Sequence, residues 1–593
     1  MTTPNKYKNH LNPLTSKART FDFVGFDIET YNNNGVQEFY FGGLYYYQNG
    51  KEVYEYYDDK ELMIARLLTP FFKNKYIVAT NLGFDYSSLF YKTKYWNDIK
   101  LIYRGSDIIT CVYKLPNKQG SIRFIDTMNY APFSVEKLGN ILKTPKLDKP
   151  DYIGKRKSLT KEELNYFIEY NKYDCKISCD FMYFLQKAIN LLGGELKLTI
   201  ASTSLDVFRR QFLVHRLKKE NNIIKNFDVK SYIFNGYYGG RTEVFERGKF
   251  YNMNYYDINS LYPSQMLKKV PEPNSVFIPE DVNINNILKY EGTSHVRVIT
   301  PDKIKYPILP YRDKTNKKLI FPKGTWNGYY NHNELRYAIN NGYIIEPISH
   351  VCYRNSIYLF KNYVTTLYDL RLKYKAENNK MELVTKLCLN SLYGKFAQRS
   401  RENITITDLN NVTGKELATL LFEDSGDIKE NFHILREVTE FDGVFSFPIF
   451  SSYITSYARI TLHKYIVNHN PVYCDTDSII TADTLEVSSE LGAMKLEGKL
   501  LECEFYKPKF YRATFDNGKQ IVKVKGVNRC TTEDFDKILR KETVNKLKFS
   551  KIKESIRHGI SPNTMIIVPK ILDLNDNKRV WNDNISMPII INQ

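Results

Sequence analysis

No stretch of the 593-residue chain approaches the ~20 consecutive apolar residues that a membrane-spanning helix needs. The opening Met1-Thr2-Thr3-Pro4-Asn5-Lys6 lacks the apolar core of a secretion signal. These two absences predict a cytoplasmic chain with no membrane partner. Cysteine is sparse and unpatterned. Eight residues (Cys111, Cys175, Cys179, Cys352, Cys388, Cys474, Cys503, Cys530) form no C-x-x-C pair, and Cys175 and Cys179 fall in a helical pattern without histidine partners. That argues against zinc ligands and disulfides and predicts reduced core thiols. Acidic residues are the minority charge, 66 against 85 Lys and Arg, leaving a formal charge of +19. Such an excess favours a polyanionic partner, because bound phosphates release counterions. Part of it reflects the abundance of Lys, Asn, Tyr and Ile expected of an AT-rich gene. A hydrophobic content of 42% over this length is ordinary for several soluble domains, each with its own core.

What acids there are stand in informative places. Tyr473-Cys474-Asp475-Thr476-Asp477-Ser478 puts two carboxylates between short apolar runs, which predicts a β-hairpin with acids at its turn. Crowded carboxylates repel each other unless a cation lies between them, and hard oxygen ligands suit Mg²⁺. A single acidic tip is often only a solvated turn. A third carboxylate, Asp257, closes the strand-like run Phe250 to Tyr256 and leads into Ser260-Leu261-Tyr262-Pro263-Ser264. Two such strands side by side would hold the metal pair used in phosphoryl or nucleotidyl transfer.

Upstream, Phe21 to Thr30 reads as a strand ending in Asp27-x-Glu29. Phe39–Tyr47 and Val53–Tyr57 flank Asn49-Gly50, a hairpin turn signal. A helix over 60–72 follows, then a strand from Tyr76 to Thr80 leading to Asn81-Leu82-Gly83-Phe84-Asp85. Ile108–Leu115 and Ser121–Asp126 form a second hairpin. Thr160-Lys161-Glu162-Glu163 is a capping box opening a long helix that ends by Gly193-Gly194 and carries Tyr170 and Asp174 on one face. Asp27, Glu29, Asp85 and Asp174 thus supply four carboxylates, at strand ends and on one helix, enough for a second two-metal site that activates water. Between 361 and 395 lie two helices interrupted near Asn378-Asn379. On the second, Lys386, Asn390, Tyr393 and Gly394 share a face.

The stretches Asp257-x-x-Ser260-Leu261-Tyr262-Pro263-Ser264, Lys386-x-x-x-Asn390-Ser391-Leu392-Tyr393-Gly394 and Tyr473-x-Asp475-Thr476-Asp477-Ser478 resemble, in order, the three polymerase motifs of family B DNA polymerases. The upstream carboxylates resemble the proofreading motifs of DnaQ-like 3′–5′ exonucleases. The implied architecture is α+β and multidomain: an RNase H-like (DnaQ-like) exonuclease domain, then a right-hand polymerase of palm, fingers and thumb with two insertions. The resemblance implies Asp257, Asp477 and the Ile258 carbonyl, with Asp475 nearby, around two Mg²⁺ at the polymerase site. It implies Asp27, Glu29 and Asp174 around two more at the exonuclease site, with Mn²⁺ able to substitute. Asp85 completes the catalytic carboxylates there, Tyr170 orients the water, and Lys146 is the candidate catalytic lysine, although its spacing departs from the pattern by about one residue. Nucleotide contacts fall to Tyr262, which excludes a 2′-OH, and to Lys386, Asn390, Tyr393 and Lys375, with Arg371 beside it. The single-stranded 3′ end is expected on Thr30, Asn81, Phe84, Thr127 and Phe133. Met128 stands where that family has Leu. Duplex DNA is expected on Tyr237, Gly239, Gly240, Lys509 and Tyr511.

Asp27 lies near the start, without room for the large N-terminal domain of cellular family B enzymes, and no cysteine-rich tail is present. Extra segments separate the motifs. This layout resembles the protein-primed branch of small phages and linear plasmids. The expected division is 1–20 flexible, 21–192 exonuclease, 193–266 and 447–525 palm, 267–355 a terminal-protein-docking insertion, 356–396 fingers, 397–446 an insertion for processivity and strand displacement, and 526–593 thumb. Expected partners are primer-template DNA, dNTPs and a terminal protein, with the chain a monomer. A nucleic-acid-primed polymerase and an inactive DNA-binding subunit are the alternatives.

Overall fold

The Thr160 hydroxyl accepts the Glu163 N–H at 3.2 Å while the Glu163 carboxylate accepts the Thr160 N–H at 2.9 Å, and this reciprocal cap starts the 31-residue helix Lys161–Leu191. The chain is described by a computed structural model covering residues 10–96, 98–105, 107–398, 402–408, 428–429, 432–438, 445–558 and 560–592. The buried face of the long helix lies against the strand Asp22–Asn33, with Cys175, Phe181 and Met182 in the shared core. Gly25 permits that approach, because a Cβ there would drive into the Cys175 carbonyl oxygen. The obstacle is main chain and cannot rotate aside. Gly25→Ala is therefore expected to cost about 1–3 kcal/mol, the range for overpacking, and to lower Tm. An unchanged Tm would contradict the contact.

Asp22–Asn33 lies inside a sheet in the order Ile99–Arg104, Asp107–Lys114, Ser121–Asp126, Lys75–Ala79, Asp22–Asn33, Val36–Gln48, Lys51–Tyr57. The central pairings of Asp22–Asn33 with Lys75–Ala79 and of Lys75–Ala79 with Ser121–Asp126 are parallel. The Asn49-Gly50 turn has φ of 53° and 76°, as its hairpin requires. Three local expectations are corrected. The helix expected to reach Phe72 stops at Leu67, and Pro70, which lacks an N–H, opens a separate 3₁₀ turn. The strand bearing Asp27 and Glu29 continues to Asn33, so these acids lie within it. Asp85 sits in the helix Leu82–Phe90 rather than at a strand end.

Seven antiparallel strands form the second sheet: Thr242–Val244, Tyr473–Asp475, Ser478–Thr481, Gly248–Ile258, Met494–Lys507, Phe510–Phe515 and Gln520–Val524. The helices Lys361–Ala376 and Met381–Phe396 form an antiparallel pair broken where expected, at 377–380. The helix Pro448–His469 packs behind the acidic hairpin, with Leu462 and Ile466 against Ile479 and Ile258.

Three segments make contacts outside their expected divisions. His10–Leu11 pairs with Leu217–Lys218, Leu11 is fully buried, and Arg19 binds Glu195 through its main-chain N–H and its guanidinium, so the chain is tied down from His10 onward. Residues 1–9 lie outside the described set. In the expected second insertion the strands Glu402–Asp408 and Phe432–Val438 pair with each other, and the first joins the edge of the sheet that contains Asp22–Asn33, with Asn403 opposite Ile102. Residues 399–401, 409–427, 430–431 and 439–444 lie outside the described set. At the other end, the region expected to be thumb keeps the hairpin Val544–Phe549 with Met565–Lys570, but its last residues leave it. Arg579 is buried against Glu243, and Ile590–Asn592 adds a parallel strand to Lys323–Asn331 of the 267–355 segment. Among the described residues no helix is long and apolar enough to cross a membrane.

Candidate active sites

The sheet register brings the three polymerase-type carboxylates together. Asp257 pairs with Ser478, and Ser478 pairs across the hairpin with Asp475. Ile258 donates its N–H to the Asp477 carbonyl at 2.7 Å, which ties the strand end to the turn. Thr476 at the tip has φ +63°, costly for a β-branched residue. Its N–H donates to the Arg241 carbonyl at 2.7 Å, and Gly240 lies so near that a Cβ would sit 3.0 Å from the Thr476 methyl. Gly240 and Arg241 therefore buttress the acidic turn, while Gly239 faces open space.

The three acids are not equivalent. Asp475 accepts the Thr242 hydroxyl at 2.8 Å and pairs with Lys509 Nζ at 3.1 Å. Burial and then the neighbouring Asp477 push Asp257 up to about 7, against the pull of Lys495 and Lys386. Burial and then Asp475 also raise Asp477, with its own backbone and Lys509 opposing. A carboxylate set under mutual repulsion, offering only hard oxygens, fits a divalent cation.

Beside it, Tyr262 stacks on Tyr393 with ring centroids 4.5 Å apart and planes at 17°. Lys386, Asn390 and Gly394 are exposed on that face of the Met381–Phe396 helix, and Val384, Cys388 and Leu392 are buried on the other. Lys375 is exposed on the preceding helix. Arg371 binds Glu382 at 2.8 Å and the Ser260 hydroxyl at 3.0 Å, linking the helix pair to the first motif. Of the Lys-x-Tyr element, Lys509 pairs with the acidic hairpin as above, and Tyr511 is mostly buried against Tyr473.

The second cluster is tighter. Asp27, Glu29 and Asp174 each offer an oxygen within 4.8 Å of the others. Burial, then the neighbouring carboxylates, raises Asp27, and burial with Asp174 brings Glu29 to about 7. Asp174 is raised by burial in spite of Lys146, whose ammonium binds it and lies 4.4 Å from the Tyr170 ring centroid. Asp174 Oδ1 is buried with no hydrogen-bond partner, an orphaned acceptor that suits a cation. Asp85 stands apart, accepting the Ile28 N–H at 3.0 Å and so holding the backbone between the two strand acids.

Asn171, which the motif reading passed over, donates to Asp27 at 2.8 Å and to Glu29 at 3.3 Å. Tyr54 donates to its amide oxygen at 3.0 Å, and Gly43 leaves it room. Its position next to Tyr170 was the available signal.

Of the residues expected to hold a 3′ end, Asn81 and Phe84 line a cavity of about 280 Å³ together with Met128, Phe549 and Asn563 among others, whereas Thr30, Thr127 and Phe133 do not line it. Asn563 donates to the Phe84 carbonyl at 2.9 Å and the Ser88 hydroxyl at 2.8 Å, so the C-terminal region closes one side. Thr30 donates to Gln37 at 2.8 Å, and Phe133 is half-buried under Lys137. Thr127 needs correction as a side-chain contact. It is wholly buried and its hydroxyl bonds Thr80 at 2.9 Å, whereas Met128 is 41% exposed. A third grouping, His332, His350 and Cys352, is filled by the Ser294 hydroxyl at 2.7 and 2.6 Å from the two imidazoles, a core hydrogen-bond network.

The family model for DNA polymerase type B, organellar and viral, matches residues 143–479, more than half of the chain. A probable DNA polymerase of Podospora anserina is 27% identical over 524 residues, covering 74% of this chain and 42% of that protein. One from Ascobolus immersus is 32% identical, covering 60% and 31%, and the DNA-directed DNA polymerase of Enterobacteria phage PRD1 is 28% identical, covering 58% and 59%. The chain spans less than half the length of these fungal relatives. Among solved structures, Phi29 DNA polymerase complexed with primer-template DNA and incoming nucleotide substrates aligns with a TM-score of 0.70 at 18% identity, over 94% of this chain and all of that one. That likeness gives the fold: an exonuclease-type domain followed by palm, fingers and thumb. All three polymerase motifs and Asp174 fall inside the matched span, and the chain belongs to the organellar and viral type B DNA polymerases.

Proposed function

We propose that the chain is a DNA-directed DNA polymerase with a separate 3′–5′ exonuclease site, initiating on a terminal protein and displacing strands as it moves. The observation that carries this reading is the placing of Asp257 and Asp477 together, under mutual repulsion, beside the face bearing Lys386 and Tyr393, on which Tyr262 stacks.

Asp257 and Asp477 would hold Mg²⁺ together with the Ile258 carbonyl. When bound, the ions acidify the attacking 3′-OH and neutralise the departing pyrophosphate. Lys386, Lys375 and Asn390 would face the triphosphate, while Tyr393 and Gly394 would leave a flat surface for the base. Tyr262, braced by Tyr393, would lie under the sugar and exclude a 2′-OH. Tyr237, Gly239, Gly240, Lys509 and Tyr511 would guide the primer-template beside the hairpin. Asp27, Glu29 and Asp174 would hold the ions of the second site, with Tyr170 and Lys146 orienting water onto the scissile phosphate.

The protein-primed assignment is supported by the alignment with a small-phage polymerase over nearly the whole chain and by the positions of the two insertions. The 267–355 segment would then dock the terminal protein.

Tyr262→Val is expected to raise ribonucleotide incorporation relative to deoxyribonucleotide by about 10- to 100-fold, the range a single steric contact supplies. Single-nucleotide incorporation assays check this, and unchanged sugar discrimination would end that role. Extension of a primed single-stranded circle, with Mg²⁺ and dNTPs but no helicase or clamp, tests strand displacement. Products many circles long support it, and stalling at one circle refutes it. Labelling of a terminal protein hydroxyl by a dNMP tests the priming mode.

A further inference from the structure

The expected 3′-end cradle is built from two segments far apart in sequence, 81–84 and 127–133, which follow the paired parallel strands Lys75–Ala79 and Ser121–Asp126, with Ala79 opposite Asp126 and Thr80 bonded to Thr127. We propose that Asp126 is the positioning residue that locks these loops into one cradle, an inference that rests on the exonuclease reading above. Its carboxylate is 7% exposed and accepts three main-chain N–H groups: Asn81 at 3.1 Å and Met128 at 2.9 Å on Oδ1, and Leu82 at 2.9 Å on Oδ2. One oxygen thus bridges the two loops, and the other caps the first turn of the Leu82–Phe90 helix.

Each bond does something local. Asn81 is left-handed at φ 71°, a region asparagine tolerates better than other non-glycine residues, and the surroundings enforce that choice here. The Asn81 N–H bond to Asp126 supplies that enforcement and leaves the Asn81 side chain at the exposed lip. The Leu82 bond places a carboxylate at the helix N-terminus, where the dipole favours it. That helix carries Asp85, which holds the Ile28 N–H between Asp27 and Glu29. On the other loop, the Met128 bond starts the Thr127–Asn129 turn that exposes Met128.

The chemistry requires a carboxylate. Three converging donors on both oxygens need an acceptor-only group, and an amide in its place would turn an N–H toward at least one of them. Burial raises Asp126 to about 6, and the three amides hold it down against that. Its carboxylate bonds the main chain of the two cradle segments rather than Asp27, Glu29 or Asp174, so its effect should fall on binding of the strand rather than on bond cleavage.

The test uses the full chain and a 5′-labelled single-stranded oligonucleotide with Mg²⁺, resolving KM from kcat, with extension of a matched primer in parallel. Asp126→Asn is expected to raise KM about tenfold or more, the scale of lost supporting hydrogen bonds, with kcat within about threefold and extension intact. Wild-type KM, or a loss confined to kcat, would overturn the proposal. If Asp126→Asn also loses extension, Asp126→Glu decides: displaced oxygens should raise KM with extension retained, and an unchanged KM refutes the role. If the wild-type chain degrades no single strand while extending primers, the exonuclease reading itself falls, and this inference with it.

Discussion

Asp257→Asn or Asp477→Asn should reduce nucleotide incorporation by about 10³-fold or more, the scale seen when one preorganised charge-stabilising group is lost, while 3′-end degradation persists. Asp257 lies at the end of one strand and Asp477 in the turn that opens the neighbouring strand of the same antiparallel sheet, and each is raised by burial and by a neighbouring acid. Replacing either by an amide relieves that repulsion, so the fold should tolerate the change and Tm should hold or rise. Stability and activity then move in opposite directions, as expected where a site stores unfavourable charge for a cation. Pre-steady-state incorporation at saturating dNTP measures the effect. A loss below tenfold would remove the substituted residue from the metal set.

Asp27→Ala should abolish removal of 3′-terminal nucleotides, again by about 10³-fold or more, with primer extension unchanged within a factor of about two. The independence follows from architecture, since Asp27 lies in the sheet of the first half and Asp257 in that of the second. Asp27 is held by Asn171, and Asp174 by Lys146, so removing Asp27 leaves the rest of the cluster supported. A 3′-mismatched primer should then be extended with its mismatch retained, where the intact chain would excise it first. Surviving degradation would show that Asp27 is no ligand.

Much of this was legible from local pattern. The Asn49-Gly50 turn, the Thr160 capping box, the acidic hairpin and the exposed Lys386-Asn390-Gly394 face each depend on residues a few positions apart, and each formed as read. What escaped depends on contacts between distant segments. Asn171 and Asp126 look like ordinary helix and strand residues, and their importance lies in what Gly43, Tyr54, Asn81 and Met128 bring to them. Asp85 was recognised but misplaced, because nothing local shows that Leu82 begins a helix capped by a carboxylate 44 residues on. The docking of Leu11 and the return of Ile590–Asn592 to the 267–355 segment are long-range pairings that no local period encodes.

A 5′-labelled primer annealed to a longer template, incubated with Mg²⁺ and sampled with and without dNTPs, tests the central claim of two opposed activities on one chain. The account predicts stepwise shortening of the label without dNTPs and lengthening to the template end with them, both abolished by EDTA. Binding of the primer-template with no change in label length under either condition would contradict it and leave a DNA-binding protein.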